Sequence, residues 1–236
     1  MRSMSDEVIN LLDRPTYGMG QVDRILRLHG GTARRWIDGY SRGSKDYPPV
    51  VREHSTGDQS ATWGEFVETR LLAEYRNAGV PLIRMRPAIE VLREELNTAY
   101  PLASARTWSG VHGRELVRKV QDQVGLERRL ALVVVRSGQQ ILEWAKPAEA
   151  FRRSVDWSDE DEGALVRLLR PESEVPEVVV DPLRGFGEPV VRGVRTEVIV
   201  ELVRAGDSLE MIADLYELPR KTVDAAVRYE LLRAAA

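Results

Sequence analysis

Cysteine is missing altogether from this 236-residue chain. Its absence excludes a disulfide framework and any thiolate-based metal or redox site, and it fits a reducing compartment such as the cytoplasm. Lysine is scarce: Lys45, Lys119, Lys146 and Lys221 stand among many arginines. Long apolar runs are missing too. The longest, Leu130 to Val135, is far too short to cross a bilayer, and the N-terminal MRSMSDEVINLLDRP lacks a signal peptide's apolar core. His29, His54 and His112 are scattered and make no ligand motif. No G-x-S-x-G elbow, H-E-x-x-H, P-loop lysine or Rossmann fingerprint occurs. The acidic run from Asp156 to Glu162 places Asp161 where a calcium loop needs glycine, so it reads as a solvated turn. These absences predict no catalytic set, no cofactor, no metal and no membrane span. A net charge of -3 rules out a polycation, so any nucleic-acid contact must come from a local basic face.

What is present is helix-turn-helix grammar, twice. Near the N-terminus, Val22, Ile25, Leu26 and Leu28 suit a short helix. His29-Gly30-Gly31 breaks it, Thr32 is placed to cap the next helix, and Gly39 ends that one. Tyr40 to Val51 then reads as a wing. Trp63 to Tyr75 and Ile89 to Leu96 carry helical apolar stripes. Past Pro101 the period changes. Val111 to Val117, Leu130 to Trp144 (with a hairpin turn at Ser137-Gly138), Ala164 to Leu169 and Val178 to Val180 are read as strands, and Pro147 to Arg153 as a short helix. The Pro171 to Pro176 link is the best boundary. Beyond it, Thr196 to Ala205 forms a helix stopped by Gly206. Asp207 and Glu210 supply a capping box for a second helix, in which Ile212, Leu215 and Tyr216 face inward, and Glu217-Leu218-Pro219 turns into a third. The predicted fold class is α+β, mainly α. Residues 1–100 form a winged helix-turn-helix with supporting helices, 101–176 a small β-rich connection, and 177–236 a three-helix unit.

Between Arg14 and Arg52, the cations Arg14, Arg24, Arg27, Arg34, Arg35, Arg42, Lys45 and Arg52 are answered only by Asp23, Asp38 and Asp46. Such local charge suits phosphate contacts. Arg34 and Arg35 fall in the first turn of the recognition helix, where arginine reaches guanine edges, with Thr32 at its start; Arg42 and Lys45 sit on the wing, within reach of the backbone. The C-terminal unit is charge-balanced and suits packing better than base reading. Tyr216, Val227, Arg228, Leu231 and Arg233 are its candidate partner or dimer surface. Palindromic operators favour a homodimer.

FGEPVVRGVRT, AGDSLEMIADLYEL and AAVRYE resemble the small domain, long catalogued as of unknown function, found in VapB-type antitoxins. YGMGQVDRILRL, TARRWIDGY and PPVV, with the helices that follow, resemble a MerR-like winged helix-turn-helix. The whole chain is similar to long VapB-type antitoxins of type II toxin–antitoxin systems, and among these to the mycobacterial member. The resemblance implies neutralisation of a PIN-domain ribonuclease toxin and repression of the shared operon through operator DNA. It also implies a neutralising arginine, for which Arg228 and Arg233 are candidates. The alternative is a stand-alone MerR-like regulator responding to a small ligand, held in an apolar pocket near Trp108 and Trp144.

Overall fold

The computed structural model describes residues 11–76, 79, 81–136, 141–158 and 165–234. The expected lead-in before residue 11, the Ser137-Gly138 turn and most of the acidic run therefore lie outside the described residues. A first strand, β1 (Pro15–Gly18), pairs antiparallel with β4 (Ser60–Thr62). Between them come helices α1 (Met19–Ile25) and α2 (Thr32–Ile37), then a hairpin of β2 (Tyr40–Arg42) and β3 (Lys45–Tyr47). This is a helix-turn-helix followed by a wing, as the spacing predicts.

The centre of the core is α3 (Trp63–Tyr75). It begins with a capping box, in which Thr62 Oγ1 accepts from Glu65 N–H and Glu65 accepts from Thr62 N–H. Trp63, Phe66, Val67, Leu71, Leu72 and Tyr75 are all fully buried. A helix apolar around most of its girth must be enclosed by other elements. Tyr17 from β1 stacks on Phe66 at 4.4 Å, and Trp63 Nε1 donates to the Val166 carbonyl across 2.6 Å. The helix α4 (Arg86–Leu96) follows with Pro87 in its first turn, where the missing N–H costs nothing.

Two expectations fail in the middle region. Val111 to Val117 is not a strand: it lies in α6 (Gly110–Gln123), preceded by the short α5 (Ala105–Trp108). Gly113, Val117, Val120 and Gln121 are its buried positions, spaced as one helical face, while Val111 points to solvent. The expected β5 (Val133–Arg136) and β6 (Ile141–Trp144) hairpin is present, as is a helix, α7 (Lys146–Ser154). Part of the run expected as an acidic loop is strand instead, since Asp156 lies within β7 (Val155–Trp157), where it pairs with Arg170.

A five-stranded antiparallel sheet joins the middle to the C-terminal part. Its order is β11-β10-β9-β8-β7, with β8 (Val166–Leu169), β9 (Val179–Val180), β10 (Pro189–Val191) and β11 (Val194–Arg195). The Pro171 to Pro176 link lies between β8 and β9, which pair at Leu169 and Val180. The apolar core nonetheless divides close to it: Val175 and Val178 pack with the C-terminal helices, Leu169 and Val180 with the larger core. Those helices are α8 (Thr196–Ala205), α9 (Leu209–Leu215) and α10 (Arg220–Ala234). Among the described residues, no helix is long and apolar enough to cross a membrane.

Two readings of the C-terminal unit are corrected. Ser208, not Asp207, caps α9, its hydroxyl accepting from Met211 N–H at 3.2 Å. Leu215 faces out, with 65% of its surface exposed, because Ile212 and Ala213 take the inward positions of this short helix.

Glu68 on α3 is fully buried, accepts from Leu102 N–H through one oxygen, and leaves the other unpaired. Burial pushes its carboxyl up to about 8, against the partial opposition of the Leu102 N–H. A raised folded-state value means that this group's contribution to stability is fully present below the ordinary carboxylate range and is lost as pH climbs towards 8. Glu68→Gln mimics the protonated form. It should melt like the parent near pH 4.5 and be more stable by roughly 2–4 kcal/mol at pH 8; thermal melts at the two pH values check this.

Candidate nucleic-acid interface

The helix-turn-helix is set by Asp23, a residue of α1 with 5% exposure. Its two carboxylate oxygens accept from the N–H groups of Gly31 and Ala33, each at 2.7 Å. A side chain of the first helix therefore satisfies the orphan donors at the start of the second. This replaces the expected cap at Thr32. Gly31 occupies the cap position with φ +78°, while Thr32 is the first helical residue and uses its hydroxyl to accept from Arg35 at 2.9 Å. Thr32 is buried, so of the expected contact residues it is the one withdrawn from the surface.

The other end of α2 is fastened to the wing. Gly39 turns the chain at φ +76°, where a Cβ would meet the Tyr47 carbonyl at 2.6 Å. The N–H groups of Val50 and Val51 then both donate to the Trp36 carbonyl. Arg52 completes the joint. It donates to Asp38 at 2.8 Å, to Glu65 at 2.6 and 3.1 Å, and to the Ser60 carbonyl at 2.7 Å. Asp38 also accepts from Thr56 and Gly57 N–H. Burial alone would raise the Asp38 carboxyl, but the Thr56 N–H, the Arg52 guanidinium and the Gly57 N–H more than offset it and hold it below the usual carboxylate range. Arg52, counted in sequence with the basic cluster, is thus internal structure.

Arg14 is exposed, just before β1, and the other six cations separate into two sets. Arg24 and Arg27 pair with carboxylates of the C-terminal half, Glu188 at 2.5 Å and Glu172 at 2.8 Å. Arg34, Arg35, Arg42 and Lys45 are exposed, and none of them pairs with a carboxylate among the described residues. Arg34 donates to Gln59 at 3.0 Å, on the side of the loop leading to β4. Arg35, one position on and so rotated about the helix axis, curls back over Thr32. Arg42 and Lys45 are directly opposed across the wing strands, beside Tyr40 and Tyr47 stacked at 4.6 Å. Like charges directly opposite one another destabilise a hairpin.

The C-terminal candidates scatter. Leu231 is exposed at 65% and Arg228 is exposed, while Tyr216 and Val227 are half-buried against their own core. Arg233 is turned away, paired with Glu230 at 3.1 Å with only 16% of its side chain exposed. Reasoning from sequence missed Met211 and Leu215, exposed at 62% and 65%, which the helical period of α9 places one turn apart.

Comparison with known proteins agrees with this architecture. Residues 15–89 match a family described as "Putative DNA-binding HTH domain", and residues 178–229 match one described as "Protein of unknown function (DUF433)". The N-terminal unit is a helix-turn-helix domain, and this match supports DNA binding. The chain belongs to the same family as the uncharacterized protein Rv2308 of Mycobacterium tuberculosis, with 39% identity over 225 residues, 94% of this chain and 92% of that protein. It is also 29% identical over 220 residues to the "Putative antitoxin VapB45" of the same organism, over 86% of this chain and 89% of that one. The fold is shared with the crystal structure of Rv2018 from Mycobacterium tuberculosis, at a TM-score of 0.69 and 23% identity, over 92% and 99% of the two chains.

Reassigning the helix cap has a measurable consequence. Asp23→Ala should cost about 2–4 kcal/mol of stability, because the N–H groups of Gly31 and Ala33, the latter buried, lose a charged acceptor. Thr32→Ala should cost about 1 kcal/mol. Urea unfolding of the two variants ranks them; equal costs would return the cap to Thr32.

Proposed function

We propose that the chain is an antitoxin-type regulator. It binds operator DNA of its own operon through the N-terminal winged helix-turn-helix and neutralises a PIN-domain ribonuclease toxin through its C-terminal unit. It acts as a cytoplasmic homodimer, without enzymatic activity of its own. The observation that carries the DNA half of this reading is the set of unpaired cations on α2 and the wing. In this reading Arg34 enters the major groove and contacts base edges, while Arg42 and Lys45 neutralise flanking phosphates. Arg35, folded against Thr32, is assigned a phosphate rather than a base.

The toxin half rests on the likeness to VapB-type antitoxins, including the relative whose printed name is that of an antitoxin. The exposed Met211, Leu215 and Leu231 support a partner surface, and Arg228, exposed and donating to the Glu174 carbonyl, is the better candidate for an arginine reaching acidic toxin ligands. The alternative is a stand-alone regulator responding to a small ligand, for which the sequence suggested a pocket near Trp108 and Trp144. Trp108 is 4% exposed and packs against Trp144 at 4.9 Å and Phe151 at 5.1 Å.

Co-expression with the product of the neighbouring gene, followed by size exclusion and a nuclease assay, tests the toxin half. A stable, nuclease-silent complex is expected; a chain that elutes alone beside an active nuclease contradicts it. For the DNA half, Arg34→Ala should weaken binding to the duplex upstream of its own gene by about tenfold or more, the worth of one good arginine–guanine pair. Gel shifts unchanged in both Arg34→Ala and Arg35→Ala would remove this helix from the mechanism.

A further inference from the structure

Where α1 and α2 face α10, the protein has a cleft of about 710 Å³ whose walls carry Arg24, Arg27, Arg35, Arg76 and Arg233, with the half-buried Trp36 beside them. Among the described residues Asp23 is the single carboxylate in this lining, and both its oxygens are occupied by N–H groups at the start of α2. Arg24, Arg27 and Arg233 each lean on a glutamate outside the lining: Glu188, Glu172 and Glu230. Arg35 and Arg76 have no carboxylate partner among the described residues. Arg35 donates to the Thr32 hydroxyl, and Arg76 to the Arg27 carbonyl at 2.6 Å.

Glu188, Glu172 and Glu230 balance three of these guanidinium groups; the other two, Arg35 and Arg76, face the same space without a carboxylate among the described residues, and an anion there would relieve their repulsion. Each guanidinium carries five N–H donors, of which the bonds above use one, so other donors remain for a ligand. The planar guanidinium fork matches the oxygens of phosphate. The walls also come from distant parts of the chain: the helix-turn-helix, the end of α3 and the last helix. A ligand here would touch the DNA-binding unit and the C-terminal unit at once.

We propose that this cleft binds a phosphate group, with Arg35 and Arg76 as its principal ligands. The phosphate could come from a free phosphorylated small molecule or from the DNA backbone, and the two sources separate experimentally. The full chain is titrated with pyrophosphate by calorimetry, alongside Arg35→Gln, Arg76→Gln and, as a control, Arg118→Gln on the exposed face of α6, where Arg118 meets Asp122. Melting curves without ligand establish that each variant is folded. Saturable binding that falls about tenfold or more in Arg76→Gln and Arg35→Gln, but not in Arg118→Gln, supports a free-phosphate site.

If pyrophosphate does not bind, affinity for the upstream duplex is measured against salt. A loss of about tenfold in Arg76→Gln, with a slope shallower by about one, assigns the phosphate to DNA. No response in either arm, or an equal loss in Arg118→Gln, overturns the proposal. Because the first arm contains no DNA, it fails or succeeds independently of the operator reading.

Discussion

One arginine holds the recognition unit to the rest of the molecule. Arg52 has 9% of its side chain exposed and lies between two carboxylates, Asp38 at the end of the recognition helix and Glu65 in the first turn of the central helix. Two acids for one cation would leave a buried negative charge, which is costly unless other donors share it. The N–H groups of Thr56, Gly57 and Thr62 do so. Burial would lower the Arg52 guanidinium's affinity for its proton, but Glu65 and Asp38 more than restore it. Geometry follows from this satisfaction. The helix, the wing and the loop before β4 converge on one guanidinium, so the wing cannot swing without stranding a buried charge.

Rigidity at the base leaves the outer face free for charge. Asp23 fixes one end of α2, Arg52 and Gly39 the other, and the short helix between them projects Arg34 outward. The opposed Arg42 and Lys45 cost the hairpin stability, which its stacked tyrosines offset locally. On the other side, Arg24 and Arg27 tie α1 and its turn to Glu188 and Glu172. The helix-turn-helix unit and the C-terminal unit are therefore in direct electrostatic contact, and the five-stranded sheet joins the middle region to the C-terminal part.

Local features were legible in sequence. Gly-Gly before the recognition helix, glycine after it, and the polar hairpin that follows are short-range signals, and they give the helix-turn-helix and its wing. Gly206 as a helix stop was equally readable, since its φ of +103° is a glycine conformation. The reading of Val111 to Val117 as a strand failed because it weighed the apolar ends and overlooked the helical interval linking Gly113, Val117 and Val120. Asp23 as the cap of α2 was harder to see: its partners lie eight and ten residues on, and nothing short-range distinguishes it from a surface acid. The pairing of Arg24 with Glu188, 164 residues away, has no sequence signature at all. That is why the basic cluster looked uniform in sequence, whereas the fold divides it into internal, inter-unit and free cations.

The central claim is that DNA is met by the free cations of the N-terminal helix and wing. The most direct measurement is the salt dependence of affinity for the upstream duplex, compared between the parent, an Arg42→Gln/Lys45→Gln double variant and an Arg220→Gln/Lys221→Gln double variant of the C-terminal helix. Each lost phosphate contact flattens the plot of log affinity against log salt by about 0.9. The account predicts a slope shallower by about two in the wing variant and an unchanged slope in the C-terminal one. A slope that survives loss of the wing charges but flattens in the C-terminal variant would place the DNA on the other unit and contradict it.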